Sequence, residues 1–273
     1  MIKPIPDYKN LDLSGEALQA AARMEARANE PTSDEMFTQL VAPLLSPELK
    51  TVLEFGCGTA VLARRIATAA PQAEVYASDK SEGMLKVARH MLNTQKIKNI
   101  HLAAWDILDE AAFPFAEKQF DLIISSVVIP YLDDAQTISL IHRLSSRLSP
   151  KGVLAFMEQD WFTDSVNIQK AELFRAILAK DSRELKLTLA LGLRPILREA
   201  GLQVLPRRSF LWADDAYGEY TRDLLERFAD AAYDRGDIKL EQRDDWKMTL
   251  DELARSGDFF YGLVYHLVAG RHI

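Results

Sequence analysis

The chain has 273 residues, of which 48% are hydrophobic, so it can bury the core of one large α/β domain and general disorder is disfavoured. The formal net charge of −7 argues against a broad nucleic-acid-binding surface, which would be basic. No apolar run approaches the roughly 20 residues of a membrane span, and the first residues lack the apolar stretch of a signal peptide. The one cysteine cannot form an internal disulfide. We therefore expect a cytoplasmic protein that binds neither nucleic acid nor membranes.

The first 45 residues have the pattern of helices. Apolar residues recur at helical spacing through residues 12–29 and predict one helix there. A second helix is expected from Ser33, an N-cap residue followed by acidic residues in the first turn. Pro43 is expected to kink or end this second helix.

From Thr51 the pattern changes to short apolar runs that alternate with amphipathic stretches. Runs this short suit strands buried on both faces, and their alternation with helices is typical of a doubly wound, mostly parallel α/β sheet. The predicted strands cover residues 51–55, 73–78, 100–105, 120–128 and 152–158. The predicted helices between them cover residues 59–70, 81–93 and 134–149.

After Asp160 this rhythm loosens. We interpret residues 160–273 as a substrate-specificity part around the regular nucleotide-binding half, with a charged helical cap over residues 217–256. The other elements predicted in this part are helices at 170–178 and 189–201, a strand at 202–212 and a final strand at 259–270.

A glycine-rich turn, "EFGCGTA", joins the first predicted strand to the following helix, the arrangement in which a backbone approaches a ligand closely. A dinucleotide-binding G-x-G-x-x-G that begins at Gly56 would need glycine at position 61, where Val61 stands. A phosphate-binding loop would end in Gly-Lys-Ser/Thr, which the sequence lacks. Both alternatives are weakened.

The turn instead resembles motif I of class I S-adenosylmethionine (SAM)-dependent methyltransferases, acid-x-G-x-G-x-G. Glu54, Gly56 and Gly58 match this motif, and Ala60 replaces its third glycine, which adds only a methyl group beside the ligand. The resemblance also places Cys57 in the cofactor loop, where we expect a small packing residue and not a nucleophile.

Further elements follow at the spacing of the same family. Asp79 ends the second predicted strand 21 residues after Gly58, where Rossmann-type folds use an acid to accept hydrogen bonds from the ribose hydroxyls. The stretch "SDKSEGMLKVAR" around it resembles the family's D-x-S-x-x-M-L, which implies that Lys80 belongs to the cofactor site. Met84 is expected to pack on the adenine, although core packing is an equal alternative.

Two later segments complete the resemblance over residues 50–158, the predicted SAM-binding core. Asp106 matches the family acid that receives the adenine amino group, and Ile107 follows where the backbone contacts the ring. "FDLIISSVVIPYLDD" resembles the fourth motif and places Ser125 near the methionine moiety. The end of the chain is similar to ubiquinone/menaquinone-type and natural-product methyltransferases, which implies a Rossmann-like, seven-stranded sheet with a C-terminal antiparallel hairpin and helical cap insertions.

The acceptor site is less legible. Tyr131 and Asp160 lie just past predicted strand ends, where substrates bind in open α/β sheets, and are the candidate catalytic residues. Glu158 and Trp161 are further pocket candidates, and Tyr131 has the alternative of only covering the core. Residues 1–45 and the cap are expected to form a lid, with Tyr8 as an aromatic contact.

The predicted function is methyl transfer from SAM to the oxygen, nitrogen or carbon of a small molecule, in secondary metabolism, with S-adenosylhomocysteine (SAH) as product. The alternative is a SAM-binding protein that uses the cofactor without methyl transfer. A nicotinamide-dependent oxidoreductase is disfavoured by Val61. The sequence has neither HExxH nor CxxC, so no metal site is predicted, and a homodimer is compatible with this assignment.

Overall fold

A mixed, twisted sheet organises the chain in the computed structural model, which describes residues 6–178 and 189–272. Its strand order is β3-β2-β1-β4-β5-β8-β6, and β7 also pairs with β8. The strands are β1 (Thr51–Phe55), β2 (Glu74–Asp79), β3 (Ile100–Ala104), β4 (Phe120–Ser126), β5 (Leu148–Val166), β6 (Gln203–Val204), β7 (Arg208–Asp214) and β8 (Tyr261–Arg271).

The first five strands are parallel to one another and form the regular half of the sheet. Successive residues of β1 point to opposite faces, so Val52 and Leu53 are both fully buried, in apolar clusters on the two sides of the sheet. This double burial explains the apolar runs in the sequence, and the predicted α/β, Rossmann-like fold is confirmed.

Helices cover both faces of the sheet and extend beyond it. Within residues 6–178 and 189–272, no helix is long and apolar enough to cross a membrane. The helices are α1 (Leu11–Ser14), α2 (Ala17–Asn29), α3 (Pro31–Met36), α4 (Val61–Ala69), α5 (Glu82–Gln95), α6 (Asp134–Ser145), α7 (Ala171–Leu178), α8 (Leu189–Glu199), α9 (Glu219–Arg235) and α10 (Leu240–Ser256).

The N-terminal helices differ from the prediction. The expected helix over residues 12–29 is divided at Gly15, which has φ of 74° and caps α1. The next helix starts at Pro31, because proline fits the first helical position. Ser33 is therefore inside the first turn and not the N-cap, and its hydroxyl donates a hydrogen bond of 2.6 Å to the carbonyl of Arg27.

The C-terminal part adds the antiparallel strands. The strand predicted over residues 202–212 is two strands, β6 and β7, which both pair with β8 and are separated around Pro206, a residue without a backbone donor. Eight strands thus occupy seven lateral positions. The predicted cap over 217–256 is two helices, and Gly236 ends the first with φ of 79°. Residues 1–5 and 179–188 of the predicted lid and specificity part lie outside the described residues.

Candidate active site

A cavity of about 420 Å³ opens at the carboxyl ends of the parallel strands, where open α/β sheets bind their ligands. Seven of the predicted site residues line it: Gly56, Asp79, Lys80, Met84, Asp106, Ile107 and Tyr131. Elements outside the sheet contribute the opposite wall, with Tyr8, Arg23, Met24 and Arg27 from the N-terminal segment and Tyr220, Asp223 and Leu224 from α9.

The glycine turn after β1 brings its backbone to the edge of this cavity. Gly56 and Gly58 have φ of 64° and 55°, in the left-handed region that favours glycine. A Cβ on Gly56 would lie 2.4 Å from a Val128 methyl carbon, and one on Gly58 would lie 2.5 Å from the sulfur of Met24. Gly56 therefore needs glycine for conformation and for space, whereas Gly58 needs it for conformation, because the flexible Met24 side chain can move aside.

The third position of the motif carries a strained residue. Ala60 has φ of 59° and ψ of 33°, is fully buried, and directly precedes α4. The left-handed conformation costs an alanine about 1–2 kcal/mol relative to the right-handed one. The alanine thus occupies a glycine-type position at a conformational cost.

Asp79 joins the glycine turn to the second strand. Its Oδ2 accepts a hydrogen bond of 2.8 Å from the Gly58 N–H, and its Oδ1 accepts one of 2.9 Å from the Ser81 N–H. Burial raises the pKa of this carboxyl above its ordinary value, and the two backbone donors partly offset that effect. Each carboxylate oxygen has a second lone pair, so the group can still accept the ribose hydroxyls that the sequence pattern predicts.

The side chains of Glu54 and Cys57 do not line the main cavity. The Glu54 Oε2 accepts a hydrogen bond of 2.8 Å from the Ala63 N–H and so caps α4 from the strand, and burial raises its pKa to about 8. Burial also raises the pKa of the Cys57 thiol well above its usual value, which leaves it unreactive. Both side chains border a smaller adjoining cavity that Arg27 also lines.

The predicted adenine end is formed by the turn after β3. Asp106 accepts a hydrogen bond of 3.0 Å from the Leu108 N–H, which shapes this turn. The carbonyl of Ile107 accepts one of 2.7 Å from the Arg143 guanidinium. Trp105, which the sequence analysis did not single out, lines the cavity beside them.

Ser125 is fully buried and does not line the cavity, whereas its neighbour Ser126 does. Successive strand residues face opposite sides, so the serine that lines the cavity is one residue later than the predicted one. Val127 follows with φ of 57°, an uncommon conformation for a β-branched residue, and also lines the cavity. Strained backbone therefore lies where β4 meets the site.

Tyr131 lines the cavity and packs on Tyr8 of the N-terminal segment, with the ring centroids 5.3 Å apart. Burial raises the pKa of the Tyr131 phenol well above its ordinary value. It is therefore protonated at neutral pH and can donate a hydrogen bond, but it cannot serve as a general base there.

Asp160 lies outside the cavity, contrary to the prediction of a catalytic role. On β5 the side chains of Gln159 and Trp161 line the cavity, and the alternation along the strand turns Asp160 away. Its Oδ2 lies 3.3 Å from Nε2 of His266, whose Nδ1 lies 2.7 Å from the hydroxyl of Ser209. Glu158 is likewise fully buried and does not line the cavity.

Two arginines on α2 line the cavity without having been predicted. Arg23 is ion-paired to Asp223 of α9 at 2.6 Å. Arg27 donates a hydrogen bond of 3.2 Å to the phenol of Tyr265, and its guanidinium lies 5.9 Å from the ring centroid of Tyr220. Burial alone lowers the pKa of Arg27, but the surrounding phenols outweigh burial and raise it, so the group stays charged.

Comparison with known proteins identifies the regular half of the chain. Residues 52–152 match a methyltransferase domain family. Trans-aconitate 2-methyltransferase of Variovorax paradoxus is 32% identical over 122 residues, 45% of this chain and 43% of that protein. Malonyl-[acyl-carrier protein] O-methyltransferase of Priestia megaterium is 29% identical over 131 residues, 48% of this chain and 44% of that protein. The matches thus span less than half the length of these relatives.

A solved structure supports the same architecture. An N-methyltransferase of Haemonchus contortus, in complex with phosphomonomethylethanolamine and SAH, superimposes with a TM-score of 0.60 at 15% identity and covers 99% of this chain and 61% of that one. The fold and the glycine turn define the class I SAM-dependent methyltransferases. This chain carries a methyltransferase domain of that class, and the cofactor of the domain is SAM.

Proposed function

We propose that this protein transfers the methyl group of SAM to a small-molecule acceptor in the cavity above β1–β5. The observation that carries the proposal is that the cofactor residues and a separate, aromatic and cationic wall line one continuous cavity. Bound SAM supplies an electrophilic methyl group on a sulfonium.

The residues of the domain support a definite order of cofactor parts along the sheet edge. Asp106 follows β3, Asp79 ends β2, and Gly56 follows β1. In the family pattern the first two positions hold the adenine and the ribose, and the end of β4, where the resemblance places Ser125, lies near the methionine moiety. The cofactor then runs from β3 across β2 and β1 towards β4, and the space at the end of β5 is left for the acceptor.

The acceptor end provides hydrogen-bond donors, and Asp223, the described acid that lines it on α9, is ion-paired to Arg23. Tyr8, Tyr131 and Tyr220 line it, and burial raises the pKa of each phenol. No histidine is among the described residues that line the cavity. These groups position an acceptor for in-line attack in a shielded site, and they favour an acceptor that needs no proton removed.

The test is methyl transfer from labelled SAM to a panel of small molecules that includes trans-aconitate and malonyl thioesters, because the two relatives are named for such acceptors. We expect SAH to accumulate only when an acceptor is present. If the protein binds SAM but no member of the panel causes SAH to accumulate, the alternative of a SAM-binding protein without methyl transfer is favoured. A secondary metabolite as natural acceptor stays a prediction.

A further inference from the structure

Arg27 is a partly buried charge in the cavity wall whose described partners include no carboxylate. Its hydrogen bonds go to the phenols of Tyr265 and Tyr220. Among residues 6–178 and 189–272, no Asp or Glu forms an ion pair with it. A buried charge without a counter-ion is costly, so this arrangement calls for an explanation.

Two neighbouring arginines, by contrast, are neutralised by carboxylates. Arg23, one turn earlier on α2, pairs with Asp223 at 2.6 Å. Arg64 pairs with Glu25 at 2.6 Å, also on α2. Arg27 differs from these two arginines because no described acid forms an ion pair with it, and it lines both the main and the adjoining cavity.

The position of Arg27 favours the acceptor over the cofactor. Its hydrogen-bond partner Tyr265 is on β8, and the Tyr265 hydroxyl lies 2.5 Å from Nε2 of Gln159 on β5. Gln159 lines the cavity. β5 and β8 lie beyond β4 in the sheet order, past the predicted methionine contact at the end of β4. Tyr8 and Tyr220 frame the same region.

We infer that Arg27 binds a carboxylate of the methyl acceptor, so that the acceptor is a small carboxylic acid in its anionic form. This inference rests on the proposed function. A guanidinium presents paired N–H donors that match the two oxygens of a carboxylate. A carboxylate is already deprotonated at neutral pH, in agreement with an acceptor end whose described acid, Asp223, is held in an ion pair with Arg23. If its oxygen is the nucleophile, the O–CH₃ bond forms as the S–CH₃ bond breaks, the electron pair goes to sulfur, and no proton is released.

The test compares acids with their amides in protein saturated with SAH. The probes are acetate, malonate, hexanoate and benzoate, each titrated calorimetrically beside the corresponding amide. We expect at least one acid to bind roughly ten- to a hundredfold more tightly than its amide, the range for charge-assisted hydrogen bonds. Arg27→Met should abolish this preference and Arg27→Lys should keep part of it. Arg89→Met, which removes an exposed arginine paired with Glu82 on α5, should leave it unchanged.

A second readout separates a ligand-binding role from a structural one. Removing a partly buried charge that has no counter-ion relieves its desolvation cost, so Arg27→Met should keep or raise the melting temperature of the ligand-free protein. A marked fall in that temperature, with the preference for acids intact in Arg27→Lys and in folded Arg27→Met, would show that Arg27 serves the fold alone.

Two other outcomes would overturn the inference. One is that no acid binds more tightly than its amide to the SAH-saturated wild type. The other is that Arg27→Met weakens the binding of SAH at least tenfold but leaves the binding of decarboxylated SAH unchanged. That result would assign Arg27 to the carboxylate of the cofactor. Failure of the proposed function is distinguishable, because an acid would then bind at Arg27 while no SAH accumulates from SAM in its presence, or SAH would not bind the wild type at all.

Discussion

Arg23 and Asp223 form an ion pair of 2.6 Å between α2 and α9, helices that are 200 residues apart at this contact and line the same cavity. The N-terminal segment is also attached to the cofactor half, because Asp12 accepts hydrogen bonds from the Ser81 hydroxyl at 2.7 Å and the Glu82 N–H at 2.9 Å. These contacts connect both proposed lid segments to the site.

We predict that α2 and α9 close together when the cofactor binds. SAH should slow amide hydrogen exchange in both helices, and Asp223→Asn should speed it in both. Asp223 is 42% exposed, so the pair is worth about 0.5–1 kcal/mol, roughly a two- to fivefold change in opening. Asp244→Asn, in an exposed pair with the adjacent Arg243, is the control. Amide hydrogen exchange in α2 and α9 that SAH does not change would contradict the prediction that these helices form a lid.

Asp79 should contribute directly to cofactor affinity. Asp79→Asn keeps the shape of the side chain but removes its charge and one acceptor, so we expect SAH to bind about 1.5–3 kcal/mol more weakly, roughly ten- to a hundredfold. Calorimetry on folded protein measures this. The control is Asp109→Asn, because Asp109 belongs to the nearby turn after β3 and does not line the cavity. Equal affinities in the wild type and Asp79→Asn would reduce Asp79 to a support of the glycine turn.

The strain at Ala60 predicts an unequal response to glycine. Ala60→Gly relieves the left-handed conformation and loses one buried methyl group, so the free energy of unfolding should change by less than about 0.5 kcal/mol. Ala63→Gly, three residues later in α4 and also fully buried, should cost about 1–2 kcal/mol because no strain is relieved. Urea unfolding of both variants measures the two changes in the free energy of unfolding. Equal losses of stability would contradict the prediction that Ala60 is strained.

Glu158 should make stability depend on pH. Burial raises its pKa from 4.5 to about 8, partly offset by the backbone N–H groups of Ile129 and Val128. Because the folded pKa is above the unfolded one, this contribution is fully present below pH 4.5 and is lost as the pH rises through about 8. The loss is of the order of 3–5 kcal/mol.

The side chain introduced by Glu158→Gln cannot ionise. Between pH 5 and pH 8.5 the free energy of unfolding of this variant should therefore fall by roughly 3–5 kcal/mol less than that of the wild type. Urea unfolding at both pH values measures the difference. Glu82→Gln removes an exposed carboxylate and should follow the wild type. Parallel curves for Glu158→Gln and the wild type would show that Glu158 is ionised normally in the fold.

The cofactor half could be predicted because local sequence determines it. A strand, a glycine turn and an acid 21 residues after Gly58 place Gly56 and Asp79 at the ends of adjacent strands without contacts from distant segments. The left-handed conformation of Ala60 could not be foreseen, since an alanine there normally avoids it.

The acceptor half depends on long-range packing. Which of Gln159 and Asp160 faces the cavity is set by the pairing of β5 with β8, about a hundred residues away. Arg27 belongs to a helix with several charged residues, and nothing in that pattern marks it as unpaired. Its role emerges only when β8 supplies Tyr265 and no acid.

The most direct test of the account is a calorimetric titration of the wild-type protein with SAH and, separately, with NAD. The geometry at Gly56, Asp79 and Asp106 predicts that SAH binds at one site per chain and that NAD does not bind. Binding of NAD without binding of SAH would contradict the assignment of this cavity to SAM.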